Sequence, residues 1–122
     1  MASEFVPEFA VHAIRGIVVE LVRRRGESLT SHQLGVFLTC YLDDADHTVR
    51  GLAERLNVSK SVITRALDRL GELRLAARKP DPNDARSIFV ARTPEGLAMI
   101  DDLRQIAGRQ AFRLQGPSLL TV

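Results

Sequence analysis

The chain has 122 residues, 45% of them apolar and 26% charged, with a formal net charge of +2. This is the size and balance of one soluble globular domain, and no apolar run approaches the ~18–20 residues of a membrane span. One cysteine, Cys40, excludes an internal disulfide; the N-terminus MASEFVPEF lacks the basic and apolar regions of a secretory signal, so cytoplasm is the expected compartment.

The net charge hides an uneven distribution. Residues 1–58 carry 6 basic and 8 acidic side chains, residues 59–92 carry 8 and 4, and residues 93–122 carry 3 of each. The whole positive excess lies in the middle segment, a footprint suited to phosphate.

From the N-terminus, residues 7–25 read as a helix: Pro7 suits a first turn, three arginines suit the negative end of the dipole, and Gly26 suits the position after the cap. Its apolar residues, from Phe9 to Val22, cover more than one stripe, so a second buried face is implied. A second helix spans Ser31–Leu42, capped by Thr30 or Ser31, with Leu34, Phe37, Leu38, Tyr41 and Leu42 expected to face inward. The acidic run Asp43–Asp46 breaks it. Thr48 caps a short helix over Val49–Leu56, Asn57 ends that helix, and Ser59 caps another running to about Leu73.

KPDPNDARSIFV, residues 79–90, carries two prolines with Asn83 and Asp84, which fits a hairpin tip between short strands at 75–79 and 87–92. Thr93-Pro94-Glu95 is a cap, an N1 proline and a first-turn acid. The helix they start is expected to run over 94–114 and to stop at Gly116-Pro117.

Residues 48–73, TVRGLAERLNVSKSVITRALDRLGEL, form two short helices joined by a tight turn. Leu52, Ala53 and Leu56 can pack against Val58, Ile63 and Leu67, a helix-turn-helix whose second helix suits the major groove. Ser59, Lys60, Ser61, Thr64 and Arg65 occupy the outward N-terminal end of that helix. Short hydroxyls can meet phosphates or bases, and Arg65 can reach guanine with two bonds. Arg69, Arg78 and Lys79 extend the basic surface.

From about Leu29 to Ile106 the chain resembles the MarR family of winged helix-turn-helix transcription regulators. LTSHQLGVFL, the helix-turn-helix, RKPDPNDAR and the later TPEGLAMI carry the resemblance, and the pairing of RKPDPNDAR with TPEG is its most specific part. It implies a mainly α fold with a small β-hairpin wing (α+β), and a single domain over 1–122. Within it, 30–92 is the DNA-binding region and 7–25 and 94–114 are dimerisation helices. It also implies that Arg86 enters the minor groove while Asp84 holds the wing in place, in keeping with the pull of a narrow minor groove on arginine. The implied partners are a second copy and an inverted-repeat duplex, the implied role is repression, and cofactors are not expected. An effector pocket is expected near His12, Arg15, His32 and Phe37.

Arg74 stands where the family usually has a glycine, so the helix before it is expected to end differently, and Arg92 stands where a leucine is common. The chain stops soon after its last long helix, so it is expected to dimerise through its first and last long helices, with Phe9, Ile17, Leu21, Ile100, Leu103 and Ile106 at or near the interface, or else to dimerise weakly. Three histidines with no ligand spacing do not suggest a metal, and Asp81 and Asp84, on an exposed turn without a nucleophile, do not suggest an enzyme. Cys40, among Phe37, Leu38 and Tyr41, reads as a buried structural thiol. The competing reading is a winged-helix adaptor that binds a protein and has no sequence-specific DNA binding.

Overall fold

The computed structural model describes residues 2–24 and 28–120. The order is α1 (Ala2–Arg23), α2 (Ser31–Leu42), α3 (Val49–Leu56), α4 (Lys60–Glu72), β1 (Ala76–Asp81), β2 (Asp84–Arg92) and α5 (Pro94–Leu120). The chain forms two compact units, 29–100 and 1–28 with 101–122. No helix among the described residues is long and apolar enough to cross a membrane.

In the unit 29–100, helix boundaries follow from caps. Thr30 accepts the Gln33 N–H while the Gln33 side chain accepts the Thr30 N–H, a complete capping box. Thr48 and Ser59 cap α3 and α4 by a single bond each, accepting from Gly51 and Val62. Asn57 ends α3 at φ 56°, and its N–H and that of Val58 bond Glu54 and Ala53 carbonyls. Arg74 ends α4 at φ 60°, with its own N–H on the Gly71 carbonyl and that of Leu75 on Leu70. This is a Schellman closure built on arginine, at a cost of about 1 kcal/mol relative to glycine.

α2 and α3 both pack on α4, and the hairpin closes against α3 and α4. Phe37, Leu52, Ile63, Leu70 and Val36 are the largest fully buried side chains. Val36 and Cys40, not Leu34, Leu38 and Leu42, join Phe37 and Tyr41 as the buried face of α2, and Leu42 is 58% exposed. The inward stripe, at 36–37–40–41, is thus rotated from the expected one on a helix that packs on α4.

A polar knot ties the ends of this unit together. The Tyr41 hydroxyl donates to the Leu75 carbonyl at 2.6 Å and accepts the Thr93 N–H at 3.0 Å. The Thr93 hydroxyl donates to the Arg74 carbonyl at 2.6 Å and also accepts the Gly96 N–H, capping α5. A Cβ on residue 96 would collide with the Tyr41 hydroxyl and lie 2.5 Å from the Leu75 oxygen, which explains the glycine of the TPEG stretch. Arg92 has no apolar role: its Nε donates to the Cys40 carbonyl and its guanidinium lies 5.6 Å from the Tyr41 ring centre.

The helical unit differs from expectation at both ends. α1 starts at Ala2, with Pro7 inside it, and α5 continues through Gly116-Pro117 to Leu120. A proline in a helix forfeits a backbone bond, but the turns on either side can carry the helix past it. α1 ends at Arg23, and the expected closing residues Arg25 and Gly26 lie outside the described residues. Ala13 and Leu21 on α1 and Leu103 and Ile106 on α5 are buried, and Arg24, just past the end of α1, pairs with Asp102 of α5 at 3.0 Å.

Candidate nucleic-acid interface

At the N-terminal end of α4, Ser59, Lys60, Ser61, Thr64 and Arg65 are all exposed, while Ile63, Ala66, Leu67 and Leu70 face the core. Ser59 and Ser61 hydroxyls lie 2.9 Å apart, and the Arg65 Nε donates to the Ser61 carbonyl at 3.3 Å, steering the guanidinium along the outer face. Arg69, further along, pairs with Glu72.

The hairpin is antiparallel, with Ala76 opposite Arg92 and Pro80 opposite Ile88. The register then shifts, so that Asp81 pairs with Asp84 and residues 85–87 bulge from the ladder. Both aspartates shape the tip: Asp81 accepts the Asn83 N–H at 2.8 Å and Asp84 accepts the Arg86 N–H at 3.0 Å. The second bond fixes the backbone that carries Arg86, leaving its side chain exposed. The expected strands were 75–79 and 87–92. The observed ones reach the turn, with Pro80 kept in the ladder opposite Ile88, a place that the edge strands of a two-stranded hairpin tolerate.

Arg78 does not extend the free basic surface. Its guanidinium donates to Asp68 at 2.7 Å and to the Thr64 carbonyl at 3.0 Å, and so braces β1 against α4. Lys79, next to it, is exposed.

A further tie closes the site from the other side. Thr48 bridges to Phe89 and the Val90 N–H donates to the His47 carbonyl at 2.9 Å, so the start of α3 is stitched to β2. A groove of about 480 Å³ results, and its walls include Arg50, Lys60, Thr64, Asp84 and Arg86. Three cations therefore face one carboxylate across a channel joining α3, α4 and the hairpin. Arg50 was missed in the sequence, although a signal existed. Arg50 and Lys60 both place a cation in the first turn of a helix with no acid there, where the macrodipole disfavours it. Such a placement suits an anion brought from outside.

Of the residues read as an effector pocket, His12 and Arg15 lie one turn apart on α1, 3.2 Å between His12 Nδ1 and the guanidinium. His32 lies on α2 beside a groove shared with Gln33 and Arg65. Phe37 is fully buried, its ring centre 4.6 Å from that of Tyr41. Cys40 is buried too, and burial pushes its thiol up to about 11, with a smaller opposing pull from Arg92.

A MarR family profile matches residues 27–87. No curated protein sequence gives a significant match. Among solved structures, the transcriptional regulator Tm0710 from Thermotoga maritima is similar with a TM-score of 0.76 at 21% identity, covering 98% of this chain and 83% of that one. Wild-type MarR from E. coli is similar at 25% identity and a TM-score of 0.65, over 94% of this chain and 83% of its own. BpsR from Bordetella bronchiseptica, whose DNA binding is regulated by 6-hydroxynicotinic acid, is similar at 21% identity and 0.57, over 92% and 80%. With half of the sequence inside the family profile, and five helices and a two-stranded hairpin among the described residues, the chain belongs to the MarR family of transcription regulators.

Proposed function

We propose that this chain binds double-stranded DNA as a homodimer at an inverted repeat, with α4 in the major groove and Arg86 in the minor groove, and that it acts as a repressor. The groove lined by Arg50, Lys60, Thr64 and Arg86 is the observation that carries this reading. A duplex separates its major groove from its minor groove by a phosphate backbone, so a protein reading both needs cations and helix N-termini between its two probes. Arg50 and Lys60 stand at those N-termini. Arg65 lies beyond them on the exposed face of α4, where base edges would be, and Asp84 holds the Arg86 backbone on the other side.

Support for the dimer comes from α1. Val11, Ile14, Val18 and Val22 are 63%, 60%, 45% and 77% exposed, an apolar stripe at helical spacing. Of the residues expected at the interface, Leu21, Ile100, Leu103 and Ile106 are already buried in the single chain. The stripe is the better interface, and a second copy would cover it isologously.

The test is affinity selection from a random duplex pool, then titration of the full chain against the winning duplex and a scrambled one over several salt concentrations. Preference for the selected duplex by at least about a thousandfold supports specific readout. Equal affinity for both, falling together with salt, refutes it.

A further inference from the structure

The winged unit does not hold all of the unneutralised positive charge. In the helical unit, α1 and the distal part of α5 enclose a cleft of about 230 Å³ whose walls carry Arg15, Glu20, Arg23, Arg109, Gln110 and Arg113. Four guanidiniums thus surround one carboxylate. Elsewhere in this unit acids do neutralise arginines: Arg24, just past α1, pairs with Asp102, and Arg104 with Asp101. Among the described residues none of the four cleft arginines has an acid within ion-pair distance, and Arg15 meets only the His12 ring. Residues 114–122 contain no acid at all.

The cleft is also shaped. Gly16 lets the Gln110 side chain lie across α1, since a Cβ there would stand 2.9 Å from Gln110 Cγ. Gln110 is itself part of the cleft wall, adding a neutral donor to charged ones. Only Val19 and Ile106 contribute apolar surface, and no aromatic ring lines it.

We propose that this cleft binds a compact polyanion, a small molecule bearing two or more phosphate or carboxylate groups. Guanidinium forks match the oxygen geometry of such groups in pairs, and like charges held this close gain from an anion that binds several at once. The volume equals that of roughly seven or eight water molecules at about 30 Å³ each, enough for pyrophosphate or citrate. The lack of rings in the wall disfavours planar aromatic acids. Because the site lies wholly within α1 and α5, binding can be read without DNA, and failure of the DNA-binding proposal would leave this one standing.

The experiment is isothermal titration of pyrophosphate, citrate and salicylate into the full chain, freed of nucleic acid. The basic groove of the winged unit would also collect anions, so the background is the double variant Lys60→Gln, Arg86→Gln. In that background pyrophosphate or citrate is expected to bind saturably and more weakly as salt rises, with salicylate at least about tenfold weaker. Binding of pyrophosphate alone would assign a phosphate ligand, and of citrate alone a carboxylate one. Adding Arg109→Gln with Arg113→Gln should lower affinity at least about tenfold, and Arg109→Lys, which keeps the charge but loses the fork, should fall between. Circular dichroism checks that each variant stays folded. No saturable binding in the background variant, or affinity indifferent to Arg109 and Arg113, overturns the assignment, including the case in which a second copy fills the cleft.

Discussion

Gly96→Ala adds one methyl group to a place where the structure leaves no room. The new Cβ would overlap the Tyr41 hydroxyl and ring and sit 2.5 Å from the Leu75 carbonyl oxygen. To admit it, Tyr41 must leave the position in which its hydroxyl bonds both Leu75 and Thr93. Two buried hydrogen bonds are worth about 1–3 kcal/mol together. Forcing the ring, only 5% exposed and packed on Phe37, off its rotamer adds about 1–3 kcal/mol. Alanine returns about 1 kcal/mol of helix propensity. The expected net loss is about 1–5 kcal/mol, read as a lower urea midpoint with an unchanged slope. In a Tyr41→Leu background the same substitution should cost at least about 1 kcal/mol less, the remainder coming from the Leu75 oxygen, which no side-chain change removes. A Gly96→Ala protein within about 0.5 kcal/mol of wild type would refute the polar knot as the reason for this glycine.

Arg65→Ala should cost about 1–3 kcal/mol on a selected duplex and relax preference mainly at one base position per half-site, as measured by titrating single-base variants of the site. Arg50→Ala should instead weaken all duplexes evenly and lower the salt slope by about one, since a phosphate contact carries no direct base information. Asp84→Ala removes an acid yet should weaken binding, because Arg86 loses the bond that holds its backbone; tighter binding to any duplex would mean a diffuse basic patch. For Cys40, raised to about 11 from 9.0 by burial, the folded thiol binds its proton more tightly than the unfolded one. The stability this contributes is present below pH 9 and falls as pH rises towards 11. At pH 8 iodoacetamide should label the folded chain about a hundredfold more slowly than the urea-unfolded chain.

Where structure is set by local chemistry, it was legible in the sequence. Thr30, Thr48 and Ser59 accept backbone N–H groups three residues on, so α2, α3 and α4 begin where these side chains say, and Asn57 ends α3 by taking a left-handed backbone. Arginine in place of glycine at position 74 suggested a different helix end, yet Arg74 adopts φ 60° and α4 closes as it would on glycine. Features decided by tertiary contact were not legible. Apolar residues surround α1, and periodicity alone cannot say that Ala13 and Leu21 turn inward while Val11, Ile14, Val18 and Val22 stay exposed. Arg78 and Lys79 look alike in the sequence, but only Arg78 meets an acid ten residues earlier on α4. Arg50 joins the interface only because Thr48 and His47 stitch the start of α3 to β2. Proline read as a terminator at Pro117, where α5 continues.

Hydroxyl-radical footprinting of the full chain on a selected duplex tests the DNA-reading arrangement most directly. Two copies with α4 in successive major grooves should leave paired protections about 10–10.5 base pairs apart, roughly 34–36 Å. Each should be flanked on its outer side by a protected stretch of minor groove that Arg86→Ala opens while the central pattern remains. A single unpaired protection, or flanking protections that persist in Arg86→Ala, would contradict a dimer that reads the major groove through α4 and the minor groove through its wing.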